Sequence, residues 1–88
     1  MLSVECHHEP SRPYAFPMDN ACEKQSLGSN IKSAREERGI SQRKLALMTG
    51  TSRSYLWKIE TGSAGIGIDV LCRIARALDM DVRDLITF

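Results

Sequence analysis

The sequence predicts an all-α domain built from five short helices. From residue 27 onward, apolar side chains recur three or four positions apart, which is the spacing of one helix face. No stretch alternates strictly between apolar and polar residues, as a half-buried strand would. Glycines and capping residues separate the apolar runs, as they do at helix termini. The 88 residues suffice for one small core and not for two.

Composition and motifs exclude several classes of protein. No apolar run approaches the roughly 18 residues of a membrane span, and the N-terminus lacks the pattern of a secretory signal. Three cysteines without framework spacing do not indicate a disulfide-stapled secreted fold, so we expect reduced thiols and a cytoplasmic location. Neither a nucleophile–base–acid set nor a glycine-rich phosphate loop is visible, so we predict that the protein is not an enzyme and has no cofactor.

Residues 1–26 are predicted to form an irregular, mobile arm. They contain all three prolines of the chain, which disfavour helix, and few apolar groups that could offset the entropy of ordering. The cluster Cys6-His7-His8-Glu9, with Cys22, lacks the paired spacing of a zinc site, so we predict no metal there.

The first two predicted helices of the domain, which spans residues 27–88, are separated by Gly39. A glycine is a common helix stop because it adopts the left-handed conformation without strain. Ser41 is a good N-cap for the second helix, over residues 42–49, whose inward face includes Leu45.

A short glycine-centred turn, residues 49–51, joins the second helix to the third and is typical of a helix-turn-helix. We expect Gly50 to take a positive φ, which lets the chain reverse within few residues. Ala46 is small and suits a close crossing of the two helices. The third helix, about 52–61, is capped by Ser52 or by the residue before it.

Two more helices follow a glycine-rich connector over residues 62–67. Apolar side chains from Ile68 to Leu78 repeat with the period of an amphipathic helix. Asp81 then caps a short last helix.

Basic side chains are concentrated in the middle of the chain. Residues 27–58 carry seven basic and two acidic side chains, whereas the whole chain has a net charge of only +1. Such a block attracts a polyanion locally. By charge alone, an ordinary solvated surface would look the same.

In this register, residues 27–86 resemble the Cro/C1-type (xenobiotic-response-element) helix-turn-helix family of DNA-binding regulators. The motifs that carry the resemblance are Leu27-Gly28-x-x-Ile31, Arg35-Glu36-Glu37-Arg38-Gly39-Ile40-Ser41-Gln42, Leu45-Ala46, Gly50, Ser52-Arg53-Ser54-Tyr55-Leu56, Ile59-Glu60-x-Gly62, Asp69-x-Leu71 and Ile74-Ala75-x-Ala77-Leu78. The resemblance implies a compact five-helix, lambda-repressor-like domain that docks its third helix in the DNA major groove as a homodimer. We therefore predict a sequence-specific transcriptional regulator whose partner is a palindromic operator in double-stranded DNA.

The start of the third helix carries the predicted contacts to DNA bases. The first turn of a recognition helix reaches base edges, and an arginine there can form a bidentate pair with guanine O6 and N7. We predict base contacts for Ser52, Arg53, Ser54 and Lys58; for Lys58 a phosphate contact is an equal alternative.

The start of the second helix carries the predicted phosphate contacts, because free amides at a helix N-terminus attract anions. The resemblance implies that Gln42 contacts the DNA backbone. We predict further phosphate contacts for Arg43 and Lys44 on the same helix and for Tyr55 on the third helix. The resemblance also implies a structural ion pair, partly buried, between Arg35 and Glu60.

The apolar C-terminal end is the candidate dimer surface, with Leu85, Ile86 and Phe88 as its contacts. Prophage repressors, restriction–modification controllers and antitoxins all include compact members of this kind, and the sequence does not choose among them.

Leu47, Met48 and Trp57 occupy places where the family usually has exposed polar residues. These three apolar side chains could pack beneath the N-terminal arm, or they could form a patch that contacts another protein. The alternative function is therefore a protein-interaction module on the same fold, such as the antitoxin of a toxin–antitoxin pair.

Overall fold

The computed structural model describes residues 20–88, and all the regular secondary structure of this part of the chain is helical. The predicted all-α, five-helix class is confirmed. The five helices are α1 (Ala21–Glu37), α2 (Gln42–Thr49), α3 (Arg53–Glu60), α4 (Ile68–Ala77) and α5 (Val82–Leu85).

Helix α1 begins at Ala21, six residues before its predicted start. The irregular segment predicted for residues 1–26 is therefore wrong for residues 21–26. The prolines dominated that prediction, but the last of them is Pro17, and no helix breaker separates it from Gly28. Glu23 lies in the first turn of α1, where a negative charge interacts favourably with the helix dipole.

Residues 1–19 lie outside the described part of the chain. The predicted mobility of the arm and the predicted absence of a metal at Cys6–Glu9 therefore stay predictions. Among the described cysteines, Cys72 on α4 is a half-buried free thiol. Cys22, in contrast, is disulfide-bonded, against the expectation of reduced thiols.

Caps and a left-handed glycine set the angle between α2 and α3. Ser41 and Ser52 are the N-caps, and each hydroxyl oxygen accepts a backbone N–H three residues later at 3.0 Å. Gly50 has φ of +69°, as expected, and ends α2 in the left-handed conformation. The Thr51 amide then donates to the Ala46 carbonyl oxygen at 3.0 Å and closes the turn.

One apolar core joins all five helices. Burial of such side chains is the main stabilising term for a small domain. Helix α3 packs on α1 and α2, α4 packs on α2 and α5, and α5 also contacts α1. The core residues are Ile31, Ala34, Leu45, Ala46, Leu56, Ile59, Leu71, Ile74, Ala75, Leu78 and Leu85.

Gly28 allows α1 to cross α3 closely. It is buried, and a Cβ atom there would collide with the carbonyl oxygen of Ile59 and lie 2.7 Å from that of Glu60. In the sequence, Gly28 stands out only as part of a motif, although a glycine inside a helix costs stability and can therefore indicate a close contact.

Helix α5 closes the base of the domain. Leu85 is fully buried, and its carbonyl oxygen accepts the side-chain amide of Asn30 at 2.7 Å. This corrects the assignment of Leu85 to a dimer surface, because its side chain is already used by the core. Ile86 and Phe88 remain exposed. Within residues 20–88, no helix has both the length and the apolar character needed to cross a membrane.

Candidate nucleic-acid interface

A buried ion pair holds the C-terminal end of α3. The Arg35 guanidinium donates to both carboxylate oxygens of Glu60, from Nε at 2.7 Å and from Nη2 at 3.0 Å. A further Arg35 nitrogen donates to the carbonyl oxygen of Ile40 at 2.8 Å. The hydrogen bonds with Glu60 raise the pKa of Arg35, so the guanidinium stays charged although it is buried. The pair ties α1 to α3.

Gln42 extends this network to the start of α2. Its side-chain amide donates to Oε1 of Glu60 at 3.0 Å, so three donors from two residues converge on one carboxylate. The predicted phosphate contact for Gln42 therefore starts from a side chain that is held in place. One N–H of the amide donates to Glu60, and the second N–H of this primary amide can donate to a phosphate.

One side of α3 faces solvent along its length. Arg53, Ser54 and Lys58 are exposed, while Leu56 and Ile59 on the opposite side are buried. Among residues 20–88, neither the Arg53 guanidinium nor the Lys58 ammonium makes an ion pair. Such unpaired cations on one helix face can take anionic or hydrogen-bond-accepting ligands.

Ser52 has a structural task as well as an exposed position. Its hydroxyl oxygen accepts the Tyr55 amide and caps α3. The hydroxyl keeps its hydrogen as a donor and one lone pair as an acceptor, so the cap leaves both available for the predicted base contact.

The start of α2 presents the second basic patch. Arg43 and Lys44 are exposed in its first turn, and no acidic side chain lies in that turn. The Gln42–Glu60 hydrogen bond links this turn to α3. It therefore helps to hold the basic surface of α2 at a defined distance and angle from the basic side of α3.

Tyr55 does not present a free donor to a phosphate. Its hydroxyl donates to the carbonyl oxygen of Gly65 at 3.0 Å and ties the connector to α3. A phosphate oxygen can only accept hydrogen bonds, so this contact argues against the predicted phosphate contact for Tyr55, which stays a prediction. No local signal in the sequence indicates the contact, since it joins residues ten positions apart across an irregular segment.

The three unexpected apolar side chains are exposed. Leu47 is 76% exposed, Trp57 53% and Met48 47%. Residues 20–88 therefore do not cover them, and the predicted packing beneath the N-terminal arm lies outside the described residues.

Comparisons with known proteins agree with this geometry. The helix-turn-helix family model HTH_3 matches residues 31–85. An uncharacterized HTH-type transcriptional regulator of Sinorhizobium fredii is 34% identical over 56 residues, which are 64% of this chain and 29% of the relative. The chain thus spans less than a third of that relative's length.

Two solved structures are similar in fold and sequence. The restriction–modification controller protein C.AhdI of Aeromonas hydrophila superposes with a TM-score of 0.68 at 31% identity, over 69% of this chain and 92% of that one. SinR, a master regulator for biofilm formation solved in complex with DNA, superposes with a TM-score of 0.65 at 35% identity. The match covers 67% of this chain and 95% of the SinR chain.

Proposed function

Because the chain belongs to the helix-turn-helix family HTH_3, we propose that it is a sequence-specific DNA-binding transcriptional regulator that places α3 in the major groove. The observation that carries this proposal is the solvent-facing side of α3, where Arg53 and Lys58 are exposed cations that form no ion pair within residues 20–88. An α-helix fits the major groove, where an arginine fork distinguishes guanine from the other bases.

The relatives support the same function. SinR has been solved with DNA, and C.AhdI is by name a controller of a restriction–modification system. In this chain, Arg53, Ser54 and Lys58 contact base edges, and Ser52 donates its hydroxyl hydrogen. Gln42, Arg43 and Lys44 hold phosphates and set the register of α3 on the duplex. The protein has no catalytic role and acts in the cytoplasm, where it meets its operator.

The regulator acts as a homodimer on a palindromic operator. Ile86 and Phe88 form an exposed apolar end, and Ile68 at the start of α4 is also 65% exposed. Apolar side chains of this size at the surface favour burial against a second copy. Two-fold symmetry then sets the two α3 helices about 34 Å apart, one turn of B-DNA.

Selection from a random duplex pool tests this function. We expect enrichment of an inverted repeat whose half-sites lie one helical turn apart. Affinity for the selected duplex, measured by fluorescence anisotropy at two salt concentrations, is expected to fall steeply with salt because phosphate contacts release counterions. A folded chain that enriches no sequence would refute the proposal. An enriched single half-site without a repeat would refute the dimer alone.

A second candidate is a protein-interaction module, such as an antitoxin. The exposed Leu47 and Met48 on α2 favour it, because neither residue has a place in the base or phosphate contacts. In that case, changing both to glutamine abolishes partner capture and leaves DNA affinity unchanged.

A further inference from the structure

Trp57, the sole tryptophan of the chain, lies half exposed on α3. Successive residues turn by about 100° around a helix axis. Trp57 therefore lies about 40° from Arg53 in one direction and about 60° from Ser54 in the other. The buried Ile59 is about 160° away by the same geometry. Around the helix, Trp57 thus falls between two residues that are proposed to contact bases.

Trp57 also falls between proposed base contacts along the helix axis. Each residue advances an α-helix by about 1.5 Å. Trp57 is therefore about 6 Å beyond Arg53 and about 1.5 Å short of Lys58. A ligand that covers the area bounded by Arg53, Ser54 and Lys58 also meets the indole.

The indole is an apolar group on a surface whose other members are polar or charged. It is the only large apolar side chain exposed on α3. Its ring offers an apolar face, and its single N–H can donate a hydrogen bond but cannot accept one. Among residues 20–88, this N–H has no hydrogen-bond partner. The side chain therefore matches a ligand that presents an apolar group beside a hydrogen-bond acceptor.

Only one of the four bases presents that combination in the major groove. Thymine carries its 5-methyl group next to the O4 acceptor. Cytosine has an N4 amino donor where thymine has O4, and an indole cannot accept from it. The major-groove edges of adenine and guanine carry polar groups and no methyl group. Thymine is therefore the base whose edge Trp57 suits.

We propose that Trp57 is a specificity-determining residue that contacts a thymine of the operator, with the indole packed on the 5-methyl group. The proposal rests on the proposed function. It adds an apolar determinant of sequence beside the polar one that Arg53 supplies, so that α3 selects a T·A pair as well as a G·C pair.

The test removes one methyl group from the DNA and the indole from the protein. Each thymine of the selected duplex is replaced in turn by uracil, which lacks only the 5-methyl group, and affinity is measured for the wild-type chain and for Trp57→Gln. At one thymine of a half-site, the replacement is expected to weaken wild-type binding by about fourfold, the effect of burying one methyl group. Trp57→Gln is expected to bind the thymine and uracil duplexes equally there, because the methyl group has lost its apolar partner.

Leu47→Gln is the matched control, since Leu47 is an exposed apolar residue outside the proposed DNA contacts. It is expected to show the same loss on uracil replacement as the wild-type chain. An equal loss in Trp57→Gln would overturn the thymine contact while the proposed function stands. A wild-type chain whose affinity depends on no thymine methyl group would do the same, and that measurement does not depend on the fold of any variant. A wild-type chain that enriches no sequence would refute the proposed function together with this contact.

Discussion

The two ends of α3 differ in what surrounds their polar groups. At the N-terminal end, Arg53 faces solvent without an ion-pair partner among residues 20–88. At the C-terminal end, three donors from Arg35 and Gln42 surround the buried carboxylate of Glu60. We call this network of Arg35, Gln42 and Glu60 the anchor. A single helix of eight residues thus carries both the anchor and the exposed surface. A rigid anchor less than three turns away keeps that surface in a defined orientation.

The largest effect is expected from breaking the anchor. Glu60→Ala leaves the Arg35 guanidinium buried without a counter-charge, which costs about 3–5 kcal/mol of the free energy of unfolding. Urea denaturation followed by circular dichroism measures the loss. The double variant Arg35→Met/Glu60→Leu removes both charges and is expected to lose less than Glu60→Ala alone. A larger loss in the double variant would contradict the interpretation that an unpaired buried charge is the cause.

The second-largest effect is expected from Gly28, where α1 approaches α3 closely beside the anchor. Gly28→Ala forces a methyl group against the carbonyl oxygens of Ile59 and Glu60, and we expect a loss of about 1–3 kcal/mol in the free energy of unfolding. Gly65→Ala is the control, because a Cβ atom there meets its nearest neighbour at an ordinary 3.8 Å. Equal melting temperatures for Gly28→Ala and Gly65→Ala would show that α1 and α3 can separate at no cost.

Local sequence patterns predict the position of α3 and its exposed end, but they do not predict the anchor. The positions of α2 and α3 followed from Ser41, Gly50 and the apolar spacing, because caps and turns are encoded within a few residues. The Arg35–Glu60 pair came only from the family resemblance, since nothing local connects residues 25 positions apart.

Predictions failed where a distant contact decides a residue's role. Leu85 reads as a surface residue near the C-terminus, but α5 folds back onto α1 and buries it. For Tyr55 the phosphate contact stays a prediction, and the hydrogen bond of its hydroxyl to the connector, which the sequence does not signal, argues against it. The sequence pattern predicts too late a start for α1, because the prolines up to Pro17 disfavour helix and only a short helical stretch follows them before residue 27.

The smallest effect is expected at the connector. Tyr55→Phe removes the hydrogen bond to the Gly65 carbonyl oxygen, and for this half-buried residue we expect a loss of at most about 1 kcal/mol in the free energy of unfolding. DNA affinity is expected to stay unchanged, because the hydroxyl is not available to a phosphate. A clear loss of affinity in a stably folded Tyr55→Phe would restore Tyr55 as a phosphate contact.

Base discrimination by α3 is tested by measuring Arg53→Ala against a set of duplexes that differ from the selected operator by one base pair each. The variant is expected to keep the wild-type melting temperature and to lose about 1–3 kcal/mol of discrimination at one symmetry-related base pair. Gln42→Ala, measured alongside, is expected to weaken binding to all duplexes similarly. An equal loss at every position for Arg53→Ala would contradict the claim that the exposed end of α3 distinguishes bases.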